Sequence, residues 1–522
     1  VAKSKDFTLF VDSPLGGLRR DTSYQNEPPY SCIDLRNFWT VDVRDGRDVL
    51  ATRPAQAEYD FPDTPINMAA QLHLPSPTMF AAANGKLYKL TDEDAATWLQ
   101  ISSAVGVTAG RPVDSAPFFK RLLIANTDDA VVYNDADGTL VTLASIVVTG
   151  TAPTDCRLAM TFAGAPWLSG APDNPHVFTC GRTGDITDWD SSQDDEGGAF
   201  ESTGEFLGLI TEPLTAMFAF AEDRAILGCE ESTWMLTGHP RRGGRLEIVS
   251  TGTGILGQWA WTATPSGQVF FMSHNGLMQM DRTQFGTLVL SEVSKKKIPD
   301  ELLGLPIDPF NPTVCVGYDS RWNALIITVR GDRQQAWRYG LKNGSFEQMD
   351  LSEYPTIMRE FGPLVSPDKS GLIMCGDSML RFDRAAVETM DARALIGPVK
   401  ISNTLNRSSR IDQAAVLIGG GSNDPDAVVR FHTGPNAHIA ALRALSDVDN
   451  YKHEVTSNVA GTCFPQLHGT AVVLTIEQTN SSKRIIFDGA ELQLSEGGIT
   501  RDEGLMPPVI TIPETTINIP TT

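Results

Sequence analysis

The sequence predicts an all-β chain: an irregular β-propeller of about seven blades, followed by an antiparallel β-sandwich. Three observations predict it. A short phrase recurs, made of a tight polar turn, an alternating apolar run and an acidic or polar stop. Its copies lie roughly 40 to 55 residues apart in places, a repeat period that fits blades of hairpins. After about residue 396 the phrase disappears, and longer alternating runs take over.

The phrase reads ANGKLYKLTD at 83–92, DDAVVYND at 128–135, ESTWMLTG at 231–238, HNGLMQMD at 274–281 and GDSMLRFD at 376–383. Each copy follows another apolar run, such as PTMFAAA, RLLIAN, RAILGC, QVFFMS or GLIMC. Two runs joined by Gly, Asn or Asp form a hairpin, because those residues tolerate the left-handed backbone of tight turns. Apolar starts near Thr78, Pro117, Arg157, Leu214, Trp261, Thr313 and Leu364 give the blade estimate. The spacing is uneven, and the copies share pattern more than identity.

Four regions follow. Residues 1–70, rich in Pro and Asp, read as an extended arm or loosely packed strands; 71–395 hold the propeller. Residues 396–497 read as the sandwich, with strands over Pro398–Ser402, Ile411–Gly419, Ala427–Thr433, Thr470–Gln478 and Arg484–Leu494, separated by GGGSND, GPNAH and TNSSK turns. The 498–522 tail, ending PPVITIPETTINIPTT, is too short for a core and is expected to lie extended, against a neighbouring subunit. One helix is expected over Ser291–Leu303, split by Pro299 into two short turns. The acidic stretch Asp188–Phe200 reads as a solvated loop.

Composition bounds the function. The 522 residues are 41% hydrophobic, enough for sizeable cores, with no apolar run long enough to span a membrane and no visible secretory signal. Lys+Arg 42 against Asp+Glu 64 leaves a net charge of -22, which repels phosphates and argues against a protein that grips DNA. The seven cysteines (Cys32, Cys156, Cys180, Cys229, Cys315, Cys375 and Cys463) form no CxxC pair. The odd count argues against a closed disulfide framework, and Cys180, Cys229, Cys315 and Cys375, in strand-like apolar runs, read as buried small hydrophobes in a chain made in a reducing cytoplasm.

Every catalytic or binding signal has a simpler reading. Gly252, Gly254 and Gly257 match GxGxxG after a strand-like run, but QWAWTATPSG follows where a dinucleotide site needs a helix. Gly376, Asp377 and Ser378 resemble the nucleophile block of GDS-type lipases, yet coincide with the hairpin phrase. Asn450 stands where the DxxH partner of His453 would need an Asp, and no GxSxG elbow occurs. Asp135, Asp137 and Gly138 lack the further oxygen ligands of a calcium loop. His73, His176, His239, His274, His432, His438, His453 and His468 form no HxxxH or HExxH pair. The Lys295–Lys297 run is flanked by acids and reads as a solvated face. Sialidase-type Asp-boxes and repeated Trp-Asp blade ends are absent. No catalytic, cofactor-binding or metal residues are therefore assigned, and no cofactor is expected.

Two segments carry a family resemblance. Residues 171–190 read APDNPHVFTCGRTGDITDWD, and 248–281 read IVSTGTGILGQWAWTATPSGQVFFMSHNGLMQMD. With the GPV strand and sandwich that follow, they resemble virion proteins of tailed bacteriophages, closest to the tail tubular or nozzle protein of short-tailed phages. Members of that type are usually longer, with extra tip insertions. The resemblance implies a non-enzymatic structural protein of the phage tail, made in the host bacterial cytoplasm. It further implies a ring, hexameric in this family, with neighbouring tail or adaptor proteins as partners and phage DNA passing through its lumen. The alternative is a propeller-based adhesin or hydrolase of the tail that acts on host glycan through acids and tryptophans such as Trp167, Trp189 or Trp234. A cellular propeller scaffold is the third reading.

Overall fold

Each recurring phrase marks the third strand of a four-stranded antiparallel sheet, and the apolar run before it is the second. The computed structural model describes residues 6–499 apart from short internal stretches, the longest being 306–313 and 358–372. Among the described residues, six four-stranded sheets follow one another. Five start with Ile66–His73, Asp114–Phe118, Leu158–Phe162, Leu214–Ala221 and Trp261–Ala263, and end with Thr97–Gln100, Thr139–Thr142, Phe200–Glu201, Arg245–Ser250 and Leu288–Glu292. The sixth joins Pro355–Ile357, Ile373–Cys375 and Ser378–Asp383 to Ala55–Tyr59, a strand from the other end of the chain. Four more strands, from Val314–Asp319 to Ser345–Asp350, repeat the same order at one end of a nine-stranded sheet. The architecture is all-β and propeller-like.

Local chemistry accounts for the turns. In ANGK, Asn84 (φ 47°) and Gly85 (φ 79°) both occupy the left-handed region, as a tight turn between twisted strands requires. The first strands then pack side by side. Asp114–Phe118 lies against both Ile66–His73 and Leu158–Phe162, which in turn touches Leu214–Ala221. Trp261–Ala263 lies against Val314–Asp319, and Pro355–Ile357 returns to Ile66–His73. Faces between neighbouring sheets hold the cores. One contains Trp167, Phe178, Met217 and Leu236, and another contains Phe80, Leu122, Ile124 and Tyr133.

The remaining strands are longer and pair distant parts of the chain. One sheet holds Phe38–Trp39, Leu50–Thr52, Ile486–Ile499, Arg407–Gly419 and Gly461–Cys463, with Asp6–Asp12 also on Ile486–Ile499 and Leu467–Gly469 on Arg407–Gly419. Facing it are Cys32–Arg36, Met390–Lys400, Ala471–Ser481, Ala427–Gly434 and Lys452–Ser457 of the nine-stranded sheet. Ala394, Ile396, Leu474 and Phe431 of one share a core with Val416, Ile418, Phe487 and Leu492 of the other.

Several expectations are corrected by these strands. The segment read as an extended arm or loosely packed strands supplies strands to four sheets, and its Cys32, Leu35, Phe38 and Trp39 are fully buried. Its last part opens the strand Ile66–His73, the first of a repeated sheet and one strand earlier than the start expected at Thr78. Ser291 and Glu292, expected to open a helix, end the strand Leu288–Glu292, because alternation with Met278 and Met280 outweighs weak local helix propensity. A nine-residue helix, Ala437–Leu445, begins within the GPNAH segment read as a turn. Asn436 caps it by accepting from Ile439 N at 2.8 Å, and its alanines pack on Leu395 and Val473. The apolar start near Leu364 and the 500–522 tail lie outside the described residues.

Candidate functional site

The glycines of the dinucleotide-like motif sit in the loop after Arg245–Ser250, and the chain continues into the strand Trp261–Ala263. Gly254 serves close packing, since a Cβ there would lie 2.0 Å from the carbonyl oxygen of Glu230, whereas a Cβ on Gly252 would meet nothing within 4 Å. Ser378 opens a strand paired with Cys375, while Gly376 and Asp377 lie outside the described residues. Asp135 and Asp137 occupy a hairpin turn. Asp137 accepts from Thr139 N and Oγ1, and Asp135 takes Lys89 Nζ at 2.8 Å. Lys297 donates to Gly344 O at 2.6 Å; Lys295 and Lys296 are not described.

Among the described residues two histidines are buried, His239 and His432. His239 Nε2 lies 3.6 Å from Cys180 Sγ, and its Nδ1 accepts from Arg241 N. Burial, reinforced by Arg242 and Arg241, pulls His239 down to about 4, while burial pushes the Cys180 thiol up to about 12. Both are neutral near pH 7, so the pair offers no thiolate. His432 is likewise pulled down to about 4, mainly by burial; Asp447, 3.7 Å from its Nε2, opposes the shift. Burial also pushes the Cys156 and Cys229 thiols up to about 12, as expected of buried small hydrophobes. Among the described residues no group of three or more His, Cys, Asp or Glu is placed to hold a metal. No described helix is long and apolar enough to cross a membrane.

The tryptophans separate cleanly. Trp167 and Trp189 are buried, with indole N–H groups donating to Phe162 O and Ile186 O. A buried indole cannot stack on a sugar. Trp234 is half-buried and donates to Ser232 Oγ at 2.8 Å. The acidic loop is partly folded back: Arg182 takes Asp195 at 2.8 Å and Asp188 at 3.3 Å, and Arg242 donates to Glu196 O.

The densest polar chemistry lies at a seam between the repeated sheets and the two-sheet region, which no sequence motif marks. Arg53, 1% exposed, makes two parallel hydrogen bonds of 2.9 Å to Glu388 and others to Asn37 Oδ1 and Asp350 O. Asp350 also takes Arg36 Nε at 2.5 Å and Asn37 Nδ2 at 2.9 Å, and it holds the Arg36 guanidinium above its ordinary value. Nearby, fully buried Glu347 accepts from Arg338 at 2.5 Å, Thr40 N at 3.0 Å, Thr40 Oγ1 at 2.6 Å and Ser345 Oγ at 2.9 Å. Arg338 also lies over the Trp39 ring, 4.8 Å from its centroid. Arg53, Arg338 and Glu347 are buried with their charges paired, so the seam fastens segments together. An open groove of about 610 Å³ lies elsewhere, between Arg224, Thr237, Arg245 and Glu247 of one repeated sheet and Leu288 of the next.

No protein-family model matches the chain, and no curated protein matches it. Similar solved structures include a streptogramin B lyase at 11% identity and TM-score 0.41, matching 63% of this chain and 98% of that one. The structure of YCF48 bound to D1 peptide matches at 11% identity and TM-score 0.38, over 64% of this chain and 96% of that one. RRP9 WD40 repeats match at 9% identity and TM-score 0.38, over 63% and 98%.

Proposed function

We propose that this chain is a non-enzymatic structural component of a bacteriophage tail, a ring-shaped tube or nozzle segment through which DNA passes. In this reading the repeated sheets close as seven blades, with Ala55–Tyr59 completing the last, and the two long-stranded sheets form a sandwich beside them. The observation that carries the reading is the seam. Asp350 takes Arg36, Asn37 and Arg53, and Glu347 takes Thr40 N, tying a repeated sheet to segments of the other region, as a wall under load requires. Sheets closed or covered at their edges suit a tube wall. Heterologous contacts between copies close into a ring, a hexamer by the resemblance to nozzle proteins. The net charge of -22 lets DNA slide without sticking, since attraction to phosphates would retard it. Neighbouring tail or adaptor proteins are the partners, and the virion tail is the location after synthesis in the host cytoplasm.

The adhesin or glycan-hydrolase reading is weakened by the burial of Trp167 and Trp189, leaving half-buried Trp234. Mass photometry and cryo-EM of the purified chain test the proposal: rings of defined copy number are expected, with no turnover of polysaccharide. A strict monomer that hydrolyses host glycan would sink it.

A further inference from the structure

The open groove of about 610 Å³ between the fourth and fifth repeated sheets is built on one register row. Arg224, Thr237 and Arg245 lie opposite one another on the strands Arg224–Cys229, Thr233–Thr237 and Arg245–Ser250. All three line the groove, with the arginines two strand spacings apart, roughly 10 Å between their Cα atoms. Side chains of that length can close on one carboxylate between them, an anion that the guanidinium fork favours. Arg224, 15% exposed, stands at the inner end, where Asp223 Oδ2 lies 3.9 Å from its Nε.

In the next row, buried Met235 stands opposite exposed Glu247, and Val249 lines the groove further along the same strand. Across the gap is Leu288 of the fifth sheet. Among the described residues Arg245–Ser250 is the last strand of its sheet, so it presents an edge to an added strand. A segment laid antiparallel on that edge sets alternate side chains over Arg245, Glu247 and Val249. Charge complementarity then selects an acid, a base and an apolar residue in turn. Among the described residues no aromatic ring lines the groove to stack on a sugar, whereas the strand edge matches a peptide main chain.

We propose that this groove is a docking site for a partner protein, which inserts an extended segment of the pattern apolar-x-base-x-acid. The acid of the segment meets Arg245, with Arg224 behind it, and the base meets Glu247. Its apolar residue lies over Val249, and its main chain adds to the Arg245–Ser250 edge. The docking face lies within one chain, so it is the same with or without a ring.

The test titrates the full chain against two fluorescein-labelled peptides, GVTKTEG and its charge-swapped form GVTETKG, and reads fluorescence anisotropy. The two share length and composition, so general attraction to a chain of net charge -22 treats them alike. GVTKTEG should bind about tenfold more tightly, because only it matches both charged positions. The double variant Arg245→Glu with Glu247→Arg should abolish or reverse that preference, and both positions are exposed, so folding tolerates the exchange. Equal affinities for the two peptides, or a preference unchanged in the double variant, overturn the assignment. Binding of neither peptide overturns it as well. Oligogalacturonate bound where both peptides fail would make the groove a saccharide site instead.

Discussion

The repeated sheets and the two-sheet region are both antiparallel and both tightly packed, yet they are assembled from opposite kinds of contact. In the sheet Leu214–Ser250, every strand pairs with its neighbour in sequence, so each hairpin closes a short loop. In the two-sheet region Asp6 pairs with Ser495, Leu50 with Phe487 and Cys32 with Ile396. Closing such long loops costs entropy before any contact rewards it. The difference teaches where the chain is vulnerable. Local sheets can form early and alone, whereas the distant pairings depend on the seam that brings their segments together.

The largest expected effect therefore comes from breaking that seam. Glu347→Ala leaves Arg338 buried without its carboxylate and removes the acceptor for Thr40 N, and should cost about 3–5 kcal/mol. Arg53→Ala should fall in the same range, because it strands the partly buried Glu388. Chemical denaturation read by two probes sharpens the comparison. Loss of the two-sheet region at lower denaturant than the repeated sheets is expected; a single shifted transition would show that the regions unfold as one.

This contrast also explains what could be read from the residues beforehand. The phrases at 83–92, 231–238 and 274–281 carry their own turns, so their strands were legible, and each proved to be a third strand. The strands near 411–419, 427–433 and 470–478 were legible by alternation. Residues 6–59 were not, because their strands are short and, apart from Phe38–Trp39 on Leu50–Thr52, pair with partners hundreds of positions away. No local pattern encodes that Ala55–Tyr59 will finish a sheet begun at Pro355. The Ala437–Leu445 helix did leave a signal, the Asn436 cap followed by alanines at helical spacing. The seam left none, since Arg53, Arg338, Glu347 and Glu388 look like surface charges until their partners are known.

A glycine pair gives the next largest effect, within the repeated sheets. Gly254→Ala forces a Cβ onto the backbone of Cys229 and Glu230 and should cost about 1–3 kcal/mol. Gly252→Ala meets nothing within 4 Å and should leave the melting temperature almost unchanged. Equal effects would mean that the two glycines share a role, as they would in a nucleotide loop.

Acid should weaken both regions through one buried histidine each. His239 and His432 stand at about 4 in the folded chain, below the ordinary 6.5. The unfolded chain therefore binds more protons between those values. Stability is fully present above 6.5 and declines as pH falls toward 4. Asp319, pushed up to about 6 by burial, works the other way, losing its contribution as pH rises from 3.8 through 6. Two imidazoles against one carboxylate leave a net loss on acidification. Melting temperatures from pH 7 to 4.5 should fall, and His432→Asn should flatten the fall; an unchanged slope would remove His432 from the account.

The smallest effect is expected where the two regions also touch at the surface. Lys342, in the turn before Ser345–Asp350, pairs with Asp48, just before Leu50–Thr52. This bridge spans the same junction as Arg53 and Glu388, but Lys342 is 68% exposed where Arg53 is 1% exposed. Water screens the exposed charges, and ordering the long lysine side chain offsets part of the attraction. Lys342→Ala should therefore cost no more than about 1 kcal/mol, and less in high salt. Denaturation of Lys342→Ala beside Arg53→Ala decides the matter. A comparable loss in both would mean that the junction is held by charge pairing at large, and the weight placed on its buried part would have to be given up.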